Sequence, residues 1–307
     1  LINAGEIDNK GIEITLNTRP IQTRDFSWDL NLNFSKNSNK VVRLVDGMDM
    51  FELEKATWLD VQVAAKVGEN FGSIVGPDFK RNAAGQVLID PSTGLPEYDK
   101  SNHVLGNASW DWTGGVTTTL TYKNLTLNAI FDIKAGADLY SMSERAAYES
   151  GKAKATLQGR DEWYRSEEAR EAAGIKKGAD TWKPTGGFVA PGVIDNGDGT
   201  YRPNDIYVNP EDYWMSVCRN APSMFIYDNS YVKCRELTLS YQVPTSWLHN
   251  FVKGLSVSFV ARNPFIVWKN IPDIDPDSNY NNTTGMGLEY GSLPSRKSYG
   301  INVNVKF

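Results

Sequence analysis

Apolar and polar residues alternate with a period of two in seven stretches of this chain. The last is the clearest: Tyr299, Ile301, Val303, Val305 and Phe307 interleave with Ser298, Gly300, Asn302, Asn304 and Lys306. Such alternation predicts a strand with one apolar and one polar face. The same pattern places strands at residues 10–18, from 25 to about 34, and at 110–122, 125–134, 231–241 and 255–268. In the second, Phe26, Trp28, Leu30, Leu32 and Phe34 share one parity; in the fifth, Leu237, Leu239 and Tyr241 do. Strands of about 9–11 residues are long enough to cross a bilayer at a tilt.

Connection lengths sharpen this picture. Residues 19–24, 123–124 and 242–254 make short links, whereas 37–109, 135–230 and 269–297 make long ones, and the two kinds alternate strictly. Outer-membrane barrels have this asymmetry, with short periplasmic turns and long outside loops. With Phe307 at the periplasmic end, every long connection lies outside. Seven strands do not close a membrane barrel, because an open edge in lipid leaves backbone donors and acceptors unpaired. The chain therefore reads as all-β, a partial antiparallel transmembrane barrel. The start at Leu1, without an initiator Met or a signal-peptide pattern, suggests a mature product or a fragment. Residues 137–151 and 159–173 have helix-compatible composition, so short helices are expected over the barrel mouth.

Composition fits a barrel. Of 307 residues 40% are hydrophobic, and mean hydropathy is -0.43, with no apolar run approaching a membrane helix. Alternating faces average out on a hydropathy scale. A net charge of -5 gives no electrostatic case for nucleic acid. There is no phosphate loop, nucleophile elbow or metal-ligand cluster, so neither an enzyme nor a cofactor nor a metal is expected. His103 and His249 are the only histidines, and Cys218 and Cys234 the only cysteines; these two allow one disulfide or two thiols.

Several runs resemble a known family. Asn9-Lys10-Gly11-Ile12-Glu13-Ile14 looks like a strand common in TonB-dependent receptors, and residues 68–76 (GENFGSIVG) resemble a glycine-punctuated segment of their SusC/RagA-type branch. Residues 227–241 (YDNSYVKCRELTLSY), 261–265 (ARNPF), 274–277 (IDPD) and 293–300 (LPSRKSYG) resemble further motifs of that branch, in family order. The resemblance implies the C-terminal segment of a plugged barrel of about 22 strands, spanning residues 1–307, with the plug domain and the N-terminal strands outside this chain. It implies outer-membrane import of a glycan or peptide in a Gram-negative bacterium, with a SusD-like lipoprotein over the mouth. TonB, acting through the missing part, and the barrel-assembly machinery are the other implied partners. The family usually has Leu where Cys234 stands.

On this reading Trp28, Tyr122, Tyr241 and Tyr299 are candidates for interfacial girdles against outer-membrane lipid, and Tyr299 and Phe307 for an assembly signal. Among loop aromatics, Trp163, Trp182 and Trp214 are the candidate ligand contacts, with Tyr164, Tyr201 and Tyr213 beside them. Residues 195–200 (DNGDGT) read as a turn rather than a calcium loop, and Asp273, Asp275 and Asp277 as a rigid extended loop. The rival is a secreted β-rich carbohydrate-binding or glycan-cleaving protein, with its apolar strand faces packed on one another.

Overall fold

The computed structural model describes residues 5–55, 60–248, 251–281 and 283–307; His249 lies outside them. In chain order the elements are β1 (Glu6–Gln22), β2 (Phe26–Arg43), β3 (Met50–Lys55), β4 (Gln62–Lys66), β5 (Ser73–Phe79), β6 (Tyr98–Asn107), β7 (Trp112–Tyr122), β8 (Leu125–Ala135) and β9 (Asp138–Ser141). There follow α1 (Met142–Glu149), α2 (Arg160–Ala172), β10 (Phe188–Val189), β11 (Val193–Asp195), β12 (Tyr201–Pro203), β13 (Tyr207–Val208) and α3 (Pro210–Asn220). The last are β14 (Ile226–Asp228), β15 (Tyr231–Val243), β16 (Gly254–Lys269), β17 (Leu288–Glu289) and β18 (Ser298–Lys306).

The seven alternating stretches form one antiparallel sheet in the order β1-β2-β7-β8-β15-β16-β18. Its register aligns like with like. Trp28, Leu120, Leu127, Leu239, Phe259 and Ile301 stand opposite one another across six strands. The other face pairs Asn17 with Asn31 and Asn31 with Thr117, and Ser240 Oγ lies 2.8 Å from Ser258 Oγ. The apolar face is covered by no other described element: Ile301 is 76% and Phe259 48% exposed. Apolar strand faces packed on one another, as the secreted rival requires, do not occur in this sheet. Among the described residues no helix is long and apolar enough to cross a membrane, which does not bear on strands.

Three details depart from the expected strands, the first being that β1 spans Glu6–Gln22 rather than 10–18. β2 continues to Arg43, because its polar run Ser35–Lys40 pairs with Asp8–Glu13 of β1 although its alternation has stopped. In β15, Arg235 is an extra residue between Cys234 and Glu236 relative to β8, a bulge that reverses the parity of the strand. Val232 and Cys234 thereby join Leu237 and Leu239 on the apolar face. On the β16 side the bulge faces Asn263 and Pro264, and a bulge tolerates a proline that lacks an N–H.

All three long connections leave from the same end of the sheet and fold together into a cap with its own core. Val61, Ile74 and Phe79 come from the first connection; Tyr140, Phe188, Val217 and Phe225 from the second; Leu288 from the third. The first carries the four-stranded sheet β3-β4-β5-β6, which the strand pattern did not reveal. The second carries α1 and α2 as expected, together with α3. β9 is flanked by β14 and by β17 of the third connection.

Candidate functional site

The helices of the cap start where local chemistry allows. Asn209 caps α3 by accepting from the Glu211 N–H at 3.0 Å, and Pro210, which lacks an N–H, occupies the first turn. Ser141 caps α1 through the Glu144 N–H at 3.0 Å. α2 begins after Gly159, whose φ of 82° and tight approach to the Gly187–Phe188 backbone both exclude a side chain.

These three helices enclose a cavity of about 490 Å³, within the range of small-ligand sites. Tyr148 and Glu149 at the end of α1, Arg160, Trp163, Tyr164 and Glu167 of α2, and Glu211 and Trp214 of α3 all border it. Tyr148 packs at a tilt on Trp214, ring centroids 4.7 Å apart, and edge-on against Phe225 at 5.5 Å, so the aromatic wall is anchored in the cap core. Arg160 donates to the Gly151 carbonyl at 2.8 Å and to the Thr156 carbonyl at 2.7 Å, which fixes the connection between α1 and α2. Burial, together with the nearby Glu144, raises the pKa of the Tyr148 hydroxyl and keeps it neutral.

A second constellation joins cap to wall. Lys233, with 2% of its side chain exposed, projects from the polar face of β15 and binds Asp275 at 3.1 Å and Asp277 at 2.6 Å. It also donates to Ser295 Oγ, which in turn donates to Asp275. Arg235, the bulged residue, binds Asp277 and, at 2.5 Å, Asp132 of β8. The Tyr231 hydroxyl donates to Asp277 at 2.8 Å. Burial acts to raise the Asp277 pKa, but donation from Arg235 and Lys233 prevails and holds it far below the usual carboxylate range. Asp275 is likewise lowered on balance, its burial outweighed by donors that include Ser295 and Lys233. Both ends of the third connection are thus pinned to the wall. Its middle is pinned to the cap: buried Glu289 accepts from Ser141 Oγ at 2.9 Å and from Ser143 Oγ at 2.8 Å.

Of the three expected ligand contacts, the structure brings two together. Trp163 and Trp214 share the cavity, the first half-buried and the second 8% exposed. Trp182 does not border it and is half-buried in the segment between α2 and β10. Tyr213 belongs to the cap core, whereas Tyr201 is exposed on β12. Tyr122 pairs with Leu125 and Leu125 with Tyr241, a row at the short-connection end of the apolar face, with Trp28 one row further in. Tyr299 stands at the long-connection end of β18, opposite Ala261. Phe307 is exposed, 5.2 Å from the ring of Phe251.

Cys218 and Cys234 are two free buried thiols, one in α3 and one on the wall. Residues 195–200 form the turn between β11 and β12, with Asp195 Oδ1 accepting from the Gly197 N–H at 2.8 Å. Asp275 and Asp277 are ion-pair partners of Lys233 and Arg235, not free oxygens in an extended loop. The signal for that role was Lys233 and Arg235 themselves, two cations in a strand that requires counter-charges when buried.

No protein-family model matches the chain. Among curated proteins it is 25% identical to TonB-dependent receptor P3 of Formosa agariphila, over 99% of this chain and 29% of that protein. It is 21% identical to TonB-dependent receptor SusC of Bacteroides thetaiotaomicron, over 99% of this chain and 27% of that protein. Among solved structures, the RagAB peptide importer in its open-open state superposes with a TM-score of 0.62 at 17% identity, covering 99% of this chain and 29% of that one. Along its whole length the chain matches a barrel segment of SusC/RagA-type TonB-dependent receptors. It spans less than a third of the length of these relatives. Within a SusC/RagA-type barrel the seven-stranded sheet is a stretch of the wall, its uncovered apolar face the lipid side and its Asn/Thr/Ser face the lumen side.

Proposed function

We propose that this chain forms part of the wall and the outer cap of an outer-membrane importer that takes up glycans or peptides at the expense of TonB-coupled energy. The cap stands on the extracellular side, above the lumen, where cargo arrives and where a SusD-like lipoprotein would close over it. The observation that supports this best is the pairing of one uncovered apolar sheet face with three long connections at one end, on a fold shared with the RagAB importer. The chain contributes wall and cap; energy coupling belongs to parts of the receptor outside it, and residues 1–307 form one segment of that barrel. Trp28, Tyr122 and Tyr241 would mark one membrane boundary and Tyr299 the other. An assembly role for Tyr299 and Phe307 belongs to the same proposal. Deleting Phe307 is expected to lower the outer-membrane level of the receptor more than its cargo affinity, and unchanged levels on immunoblots of membrane fractions would remove that role. The test of import is uptake by cells carrying the whole receptor. Uptake that stops when TonB is deleted supports the reading, and uptake indifferent to TonB overturns it.

A further inference from the structure

The cavity between α1, α2 and α3 has a chemistry that narrows its occupant. Trp163, Tyr164, Tyr148 and Trp214 line it, and Tyr164 is 65% exposed. Around them stand groups that exchange hydrogen bonds: Glu149, Glu167 and Glu211, the Asn209 amide, Arg160 and Lys177. Both charge signs are present and partly spent. Glu149 pairs with Arg145 at 3.4 Å and Glu167 with Arg170 at 3.1 Å, while Arg160 gives its Nε–H and one terminal nitrogen to neutral oxygens. Neither a polyanion nor a polycation meets a field of one sign here. The lining comes from helices and the links between them, with no strand edge. An extended peptide would therefore find no backbone ladder to join. The buried Nε1–H of Trp214 has no acceptor among the described residues, and an unmet buried donor costs about 1–3 kcal/mol, which an oxygen-rich occupant reaching it would recover.

We infer that this cavity is a subsite for one end of a neutral oligosaccharide, whose ring faces lie on Trp163 and Tyr164 and whose hydroxyls are held by Glu211 and Asn209. It takes its setting from the import reading and adds a ligand class and a place. Arg160 and Gly151 act as positioning groups: a Cβ on Gly151 would stand 2.8 Å from the Arg160 guanidinium, so the wall has little room to move.

The test uses the detergent-purified receptor that carries this sequence. It is titrated with neutral oligosaccharides of three to six units, spanning α- and β-linked glucans, mannans and xylans, and in parallel with mixed hexapeptides. Calorimetry and tryptophan fluorescence report binding. At least one sugar is expected to bind saturably and quench the fluorescence. Trp163→Ala is expected to weaken it about tenfold or more, the loss typical of an aromatic anchor, Trp163→Phe to restore most of it, and Tyr201→Ala to leave it unchanged. An unchanged melting temperature of Trp163→Ala separates lost contact from lost fold. Binding of no sugar, sugar affinity indifferent to Trp163, or peptide binding that alone depends on Trp163 would each overturn the inference. Uptake in cells separates the two readings: TonB-dependent uptake that ignores Trp163→Ala removes the subsite and keeps the importer. Trp163-dependent sugar binding without TonB-dependent uptake does the reverse.

Discussion

The wall and the cap use the same residue types under opposite solvent conditions. In the cap, Phe225 and Tyr140 are each 1% exposed and pack on neighbours from all three long connections, as in any water-soluble core. In the wall, Phe259, Ile301 and Tyr299 point away from the protein, and the sheet keeps its polar side chains on the inner face. The wall is held by a backbone ladder that runs through all seven strands with a few bulges, the arrangement that a medium without water demands. The cap is held by apolar packing and by buried side-chain acceptors such as Glu289. Where the two regions meet, the ion-pair group of Lys233, Arg235, Asp132, Asp275 and Asp277 joins them.

The largest effect is expected at that junction. Lys233→Met leaves Asp275 and Asp277 short of a buried counter-charge, a change that costs about 3–5 kcal/mol. Limited proteolysis should then cut residues 270–297 first, while the wall strands stay protected. Simultaneous loss of wall protection would mean that the two regions are one cooperative unit. Next in size, Phe259→Lys places a charge on the lipid side and should cost about 2–4 kcal/mol if it lies near the midplane, read as reduced insertion into outer-membrane fractions. Ser258→Lys, one residue away on the inner face, should insert normally; equal loss from both would erase the distinction between the faces.

Acid should loosen the junction in a defined direction. The Asp275 and Asp277 pKa values are lowered in the folded protein, so their stabilising contribution is fully present above the ordinary carboxylate pKa of about 4 and is lost as pH falls through the folded values. Hydrogen exchange of residues 270–297, corrected for intrinsic rates, should accelerate below about pH 4, and Asp277→Asn should show much of that acceleration at pH 7. The smallest effect is expected from reductant. Cys218 and Cys234 are separate thiols, and burial pushes the Cys218 pKa up to about 12. Dithiothreitol should leave the melting temperature unchanged, and iodoacetamide should label neither cysteine without denaturant.

The wall was legible in the sequence because lipid on one side and lumen on the other force a strict period of two. Legibility stopped where that constraint stopped. Beyond Phe34, β2 runs on with polar residues on both faces, and at Arg235 the bulge reverses parity, so Cys234 could be placed on the apolar face only from the pairing. The cap was less readable. α1 and α2 announced themselves by composition, but in the cap sheet β4 and β5 are short strands whose Val63–Ala65 and Ile74–Val75 are buried without alternation. The cavity was half visible: Trp163 and Trp214 stood out as loop aromatics, yet 51 positions separate them, and nothing local joins them. Trp182 had the same local signal and lies elsewhere.

The most direct measurement is a cysteine scan of β18 in the whole receptor, residues 299 to 306, each labelled with a fluorophore and exposed to brominated lipid or to an aqueous quencher. The buried native thiols contribute little background. Alternation is expected: positions 299, 301, 303 and 305 quenched from the lipid, and 300, 302, 304 and 306 from water. Water access on both faces, or no period of two, would contradict a membrane wall built from this sheet.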